Sequence, residues 1–397
     1  MVDSQLNADA PRESRRPALA VVHGDLAAGG GAELYARRIV DACGANGFDV
    51  RVVDIDTVVD SWASSARARR MLRRMLAPLR RLEVLTYALV LRHVRRHGVP
   101  GEVAVFSYGE CGEVPVAHMR VMHAPAMFDT SAAALSFLGV DVEHSGRLAV
   151  RRAYVRLASW LAGGEPSRVG ARCVLTVVNS AWTAAELAQL TAGGTFDAPV
   201  MVVHPPVEPI TPVTTVDECP RDPHLVVAIG RLVPNKRFAE AIDVVQRVRA
   251  DGHDLRLVVA GRGGTRHTRE LLRLASRTDG VEVRPDLDAA ELAALVSRAS
   301  IGLHMYRMEH FGIAVAEMIL AGVVPLVYDG GGVRELVTAP DCRFVDRDDA
   351  VRRLGALVEM SPEERSMLVR QLQVGPALQA ALHFDAEFAA ALAHLPR

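Results

Sequence analysis

Along the chain, short apolar runs alternate with stretches whose apolar residues recur at helical spacing, and glycine or proline marks most of the junctions. Residues 18–23 (ALAVVH) predict a buried strand, residues 24–33 a glycine-rich loop, residues 32–43 a helix and residues 50–54 the next strand. Further strands are expected over residues 101–106, 119–122, 174–178 and 200–203, with a long basic and apolar helix over 147–161. Residues 129–146 show no clear period, and neither do residues 205–223, whose Pro and Thr content reads as a domain boundary. The alternation restarts with strands over 225–230, 255–261, 281–284, 301–305 and 323–327, and with helices over 238–249, 268–276, 289–297 and 313–320. The last stretch, 374–395, is Ala-rich and helical. Strand–helix alternation through both halves predicts an α/β protein of two doubly wound parallel sheets. The expected division is a disordered tail over 1–17, an N-terminal unit over 18–207, a linker over 208–223, a C-terminal unit over 224–373 and a terminal helix over 374–397.

Composition narrows the function. Half of the 397 residues are hydrophobic, yet no uninterrupted apolar run approaches the roughly 20 residues of a membrane span. Residues 1–16 are polar and lack the apolar centre of a signal peptide. A net charge of −1 argues against a general nucleic-acid binder. The five cysteines (Cys43, Cys111, Cys173, Cys219, Cys342) form no CxxC pair, which fits reduced thiols in a cytoplasm and no structural zinc. Charge is concentrated in one place. Arg67, Arg69, Arg70, Arg73, Arg74, Arg80, Arg81, Arg92, Arg95 and Arg96 share a stretch with a single acid, Glu83, while Met71, Leu72, Met75, Leu76, Leu79 and Leu82 interleave at helical spacing. Such helices suit an anionic membrane surface or an acidic partner, and equally a solvated face packed by its leucines. The scarcity of aromatics speaks against nucleic acid.

Candidate chemistry centres on residues 307–317, RMEHFGIAVAE. Glu309 falls on the loop leaving a strand, Gly312 lets backbone approach a ligand, and the first amides of the following helix can face an anion. Glu317 projects from the second turn. A carboxylate next to a phosphate-binding helix start suits a neutral hydrogen-bond donor such as a sugar hydroxyl, so the pair suggests a sugar-phosphate ligand; two solvated glutamates explain it as well. The loop containing Gly29, Gly30 and Gly31 also opens a helix as phosphate-binding loops do. Asp54, about 20 residues beyond, fits a ribose-binding acid of a dinucleotide fold, although the glycines lack the G-x-G-x-x-G spacing. Asp54 and Asp56 also resemble an Asp-x-Asp metal motif, which adjacent surface acids explain equally. His123 arrives at a strand end, placed to bond a sugar, to act as a base or to pack structurally, and Ser180 can cap the next helix. Arg231 and Lys236 follow Gly230 at another strand end and make a diphosphate clamp or two ordinary surface cations.

Together, Gly230-Arg231…Lys236, Glu309-His310-Phe311-Gly312…Glu317 and Gly330-Gly331-Gly332 with Glu335 resemble retaining GT-B glycosyltransferases of family 4, whose signature is the Glu-x7-Glu spacing. Gly29-Gly30-Gly31, His123, Asn179-Ser180 and Pro205-Pro206 extend the resemblance over most of the chain. It implies two Rossmann-like domains facing a cleft, an acceptor-binding N-terminal one and a nucleotide-sugar-binding C-terminal one, with the last helix crossing back. By position, it implies that Arg231 and Lys236 hold the donor diphosphate, helped by the amides of Phe311, Gly312 and Ile313. Glu309 would hold donor-sugar hydroxyls, Glu317 the ribose, Gly30 and Gly31 the diphosphate from the other side, and His123 the transferred sugar. The resemblance further implies retention of anomeric configuration, no metal or other cofactor, and a glycan, lipid-linked or small-molecule acceptor. The wording of residues 311–325 leans the donor toward GDP-mannose. From the cysteines and the arginine helices, the location expected is cytoplasmic, and peripheral on the membrane's inner face if those helices touch lipid. Two alternatives stand beside it: an NAD(P)-dependent oxidoreductase, and an inactive sugar-nucleotide-binding protein on the same fold.

Overall fold

The computed structural model describes residues 16–28, 30–78, 80, 82–123, 127–131, 145–164, 166, 172–191, 198–210 and 221–396. The expected tail up to residue 15, most of the 129–146 loop, linker residues 211–220, and Gly29, Leu79, Arg81, Ala124, Pro125 and Cys219 lie outside the described residues.

The two expected doubly wound sheets are present. The first contains β1 (Ala18–Val22), β2 (Asp49–Val53), β3 (Val103–Phe106), β4 (Ala117–Met122), β5 (Cys173–Val178) and β6 (Val200–Val202), in the order β2-β1-β3-β4-β5-β6. The second contains β7 (Asp222–Ile229), β8 (Arg256–Gly261), β9 (Val281–Pro285), β10 (Ala299–His304), β11 (Val324–Tyr328) and β12 (Arg343–Phe344), in the order β12-β11-β10-β7-β8-β9. Every strand pair is parallel. That explains why the strand runs are apolar without alternation: helices cover both faces, so Leu19, Val21, Ala20 and Val22 are all buried.

Direction of winding reverses at β1/β3 in the first sheet and at β7/β10 in the second, and ligands of open α/β sheets bind beyond the carboxyl ends of strands at such points. The first sheet's two faces carry separate apolar cores. One is built with Ile55, Val58, Tyr87, Val90 and Val155, the other with Tyr35, Ile39 and the C-terminal residues Phe384 and Phe388. The 374–395 segment is two helices. Pro376–Leu382 puts Ala377, Leu378 and Ala381 into the second sheet's core, and beyond His383 the helix Phe384–Leu392 enters the first sheet's core. The chain's end thus ties the two units together.

Several elements escape the periodicity reading. The helices Ile55–Trp62, Arg347–Glu359 and Pro362–Gln373 and the two-residue β12 were not predicted, although Asp54, Asp346 and Ser361 each cap the helix they precede. The arginine stretch splits into two unlike helices. Ala66–Leu76 buries none of its residues, whereas Glu83–His97 buries a whole face.

Candidate active site between the two sheets

Strand ends from both units converge on one cavity of about 350 Å³. From the first sheet come His23, Gly24 and Asp25 after β1, Tyr108 after β3, His123 after β4 and Asn179 after β5; from the second come Gly230 and Arg231 after β7, and Glu309 to Ala314 after β10. Both reversal points therefore open into the same space. Of the expected site residues, Glu309, Arg231, Lys236, His123, Gly30, Gly31, Gly230, Phe311, Gly312 and Ile313 all line it.

Two helices point their amino ends into this cavity. Gly31–Ala45 begins after Gly30, and Ile313–Leu320 begins after Gly312, whose φ is 101°. Neither start is capped by its N-cap side chain; at Ile313–Leu320 the first-turn amides are left for a ligand, at Gly31–Ala45 the Glu33 carboxylate takes its own amide, and each end carries the positive pole of its helix dipole. The starts nearly touch: a Cβ on Gly31 would lie 3.3 Å from Ile313 Cδ1. Arg231 and Lys236 add two cations on the same side of the cavity. Arg231 reaches across to Glu83 of the first unit at 3.3 Å, in an exposed pair that a phosphate can replace at little cost.

Lys236 and Glu309 meet. Lys236 Nζ donates to Glu309 Oε2 at 2.6 Å and sits 4.6 Å from the centre of the Tyr306 ring. Nε2 of His304 donates to the same oxygen at 3.0 Å. Burial alone would raise the Glu309 carboxyl, but the Lys236 charge and the two donated bonds outweigh it and hold the group well below the usual carboxylate range. The glycines at 330–332 serve this loop. Gly332 N donates to the Glu309 carbonyl at 2.8 Å, and a Cβ on Gly331 or Gly332 would sit 2.4 Å or 1.9 Å from the carbonyl oxygens of Glu309 and His310.

The first unit contributes neutral histidines. His123 donates from Nε2 to the Ser107 carbonyl at 2.8 Å, and burial lowers its pKa to about 4. Nδ1 is thereby left as an acceptor for a hydroxyl. His23 has the opposite tautomer: Ser107 Oγ donates to the Val22 carbonyl, so His23 Nδ1 donates to that hydroxyl at 3.0 Å. Burial, then the neighbouring His123, lowers its pKa to about 3. His23 carried no signal beyond its place at a strand end.

Other expectations are corrected by position. The Asp54 carboxylate accepts from Asp56 N and Thr57 N as a helix cap, at 3.0 and 3.2 Å, so it is spent on the fold and does not face a ribose. Asp56 pairs with Arg73 at 2.9 Å and with Arg80, which accounts for the Asp-x-Asp pattern without a metal. Arg80 turns inward, bridges Asp25 and Asp56 and lines the cavity, unlike the exposed Arg73 and Arg74. Glu317 is not among the lining residues; burial and the nearby Glu208 raise its pKa to about 7. Glu335, expected only as part of a glycine motif, is a tie between the units. Its carboxylate accepts from Trp182 N at 3.0 Å, Ala181 N at 3.2 Å and His204 Nε2 at 3.1 Å, capping a helix of the first unit.

Residues 216–370 match the family described as glycosyl transferases group 1. Over 188 residues the chain is 30% identical to the GDP-Man:Man(3)GlcNAc(2)-PP-Dol alpha-1,2-mannosyltransferase of Mus musculus, covering 43% of this chain and 37% of that protein. It is 26% identical over 171 residues to the GDP-mannose:cellobiosyl-diphosphopolyprenol alpha-mannosyltransferase of Xanthomonas campestris, covering 42% and 41%. The matches thus span less than half the length of these curated relatives. Among solved structures, the glycosyltransferase WaaG, involved in lipopolysaccharide biosynthesis, superposes with a TM-score of 0.63 at 15% identity over 94% of this chain and 99% of that one. The sucrose-phosphate synthase of Thermosynechococcus elongatus does so at 0.62 and 15% identity, over 95% and 98%. At those identities the likeness is one of fold, and the fold is GT-B.

Proposed function

We propose that this chain, which carries a glycosyl transferases group 1 domain over residues 216–370 on a GT-B fold, is a retaining glycosyltransferase that moves mannose from GDP-mannose to a hydroxyl of a lipid-linked glycan. One observation carries the proposal: two helix starts from opposite units, neither capped by its N-cap side chain, and two cations of the second unit face a single cavity beside a fixed carboxylate. That is a site for a diphosphate attached to a hydroxyl-bearing group. The names of the mannosyltransferase relatives support the choice of sugar, base and acceptor class.

In this account the acceptor hydroxyl oxygen bonds to the sugar C1 on the face from which the diphosphate leaves. The C1–O bond to phosphate breaks, and the hydroxyl proton passes to the departing phosphate oxygen. Arg231, Lys236 and the amides of Phe311, Gly312 and Ile313 stabilise the charge that develops on the leaving group, the term that usually dominates such catalysis. Gly30 and Gly31 close on it from the first unit. Glu309 orients the sugar, and neutral His123 accepts from a sugar hydroxyl through Nδ1. Glu317 lies outside the cavity lining and carries no role in this account. The two cations beside the helix starts support a reaction that proceeds without a metal.

The test is transfer of labelled mannose from GDP-mannose to a polyprenyl-diphosphate-linked oligosaccharide in excess EDTA, with the product's anomeric configuration read by NMR. An α-linked product formed at full rate in EDTA is expected. Loss of transfer in EDTA, or a β-linked product, contradicts the metal-free or the retaining part. Turnover of NAD(P) without sugar transfer would restore the oxidoreductase alternative. Donor binding without transfer to any acceptor would restore the inactive one.

A further inference from the structure

His304 is the last residue of β10, only 4% of its side chain is exposed, and the loop after it folds back so that residue 309 returns to its ring. A carboxylate only accepts, so the bond between His304 Nε2 and Glu309 Oε2 fixes the proton on Nε2. Burial, foremost, keeps the ring neutral. His304 is therefore a donor that adds no charge to a site already holding Lys236. Both Lys236 Nζ and His304 Nε2 use Oε2, and Glu309 lines the cavity. Lys236 is itself restrained by the Tyr306 ring. The carboxylate is thus gripped at one oxygen from two directions, which fixes its plane and leaves Oε1 for a ligand.

We propose that His304 is a positioning residue for the donor sugar: it locks the Glu309 carboxylate so that Oε1 meets the sugar's hydroxyls, and it does not itself touch substrate. Without it, Lys236 still neutralises Glu309, but a single contact to the point charge of an ammonium no longer fixes the carboxylate's rotation. The inference rests on the cleft being a nucleotide-sugar site. It also predicts a division of labour, since the nucleotide and diphosphate are held by other groups, and only the increment due to the sugar depends on His304.

The experiment titrates GDP and GDP-mannose calorimetrically into the wild-type protein, His304→Leu and His304→Gln, with melting curves to show that each variant is folded. In wild type, GDP-mannose is expected to bind more tightly than GDP. His304→Leu should weaken GDP-mannose at least about tenfold while GDP stays within about twofold, because a hydrogen bond to a charged group is lost beside the sugar alone. His304→Gln, which keeps an N–H donor, should recover most of the loss, and in transfer assays His304→Leu should raise KM for the donor with the Gln variant again rescuing. An unchanged increment in His304→Leu overturns the inference, as does an equal loss with Gln, or a parallel loss of GDP binding. Wild-type protein that binds neither ligand overturns the donor site and this inference together.

Discussion

At the residue scale, Glu309 and Lys236 act as one unit. The Lys236 ammonium is charge partner to Glu309 in the free protein and, in the proposed reaction, to the departing phosphate, so replacing either residue disturbs both binding and chemistry. Glu309→Ala and Lys236→Ala should each lower turnover at least about tenfold, equivalent to about 1.4 kcal/mol or more, in steady-state transfer assays. Because the two share a contact, the double variant should lose much less than the product of the single effects. Wild-type turnover in either single variant contradicts the site. These residues were legible in the sequence because each stands at a strand end or helix start, where chain order predicts position. Their contact was not, since it joins loops after β7 and β10, and no local spacing reports that 236 and 309 meet. The same holds for His304, which reads locally as one more residue of a buried strand.

At the element scale, helix ends account for much of what was legible and for much of what was missed. Gly30 and Gly312 announce helix starts without side-chain caps, and both face the cavity. Asp54 carries an equally clear cap signal that a functional interpretation displaced, and its bonds to Asp56 N and Thr57 N decide the matter. Glu335 could not be read as a cap at all, because the helix it caps lies some 150 residues earlier in the chain. Glu335→Ala should cost about 1 kcal/mol as a lost cap, a drop of about 2–4 °C in Tm, and should loosen the tie between the units. An unchanged melting curve would show that the tie contributes nothing. Glu317, on the helix Ile313–Leu320, gives a pH prediction. Its pKa of about 7 lies above the ordinary glutamate value, so ionising it costs stability, and that cost grows as pH rises from the usual glutamate range through 7. Glu317→Gln should therefore raise Tm at pH 8 by an amount worth about 1 kcal/mol or more, and should have little effect at pH 4.5. An equal effect at both pH values would place the carboxyl in an ordinary environment.

At the scale of the whole molecule, apolar periodicity was enough for two doubly wound sheets, because buried parallel strands and their covering helices leave unmistakable runs. It was not enough for the chain's return, since residues 374–395 look like one helix and are two, serving different cores. Trp62, Met71 and Met75 are exposed around the arginines of Ala66–Leu76, and Val150, Leu157 and Trp160 are exposed on Ser145–Ala162. No helix among the described residues is long and apolar enough to cross a membrane. We propose that these helices dock the first unit on an anionic bilayer, where a lipid-linked acceptor resides. Sedimentation with anionic vesicles should carry the protein down at low salt and release much of it at high salt, and Met71→Glu combined with Trp160→Glu should weaken binding several-fold. No binding to anionic vesicles removes this part and leaves the cleft untouched.

The cleft is proposed to hold a nucleoside diphosphate attached to a sugar. A thermal-shift panel of GDP, UDP, ADP and dTDP with their common sugars, together with NAD and NADP, tests it most directly, since a ligand bound only to the folded state raises Tm. Selective stabilisation by GDP, increased by GDP-mannose and diminished in Lys236→Ala, is the result predicted. Stabilisation by NAD or NADP alone, or no shift with any of them, would contradict it.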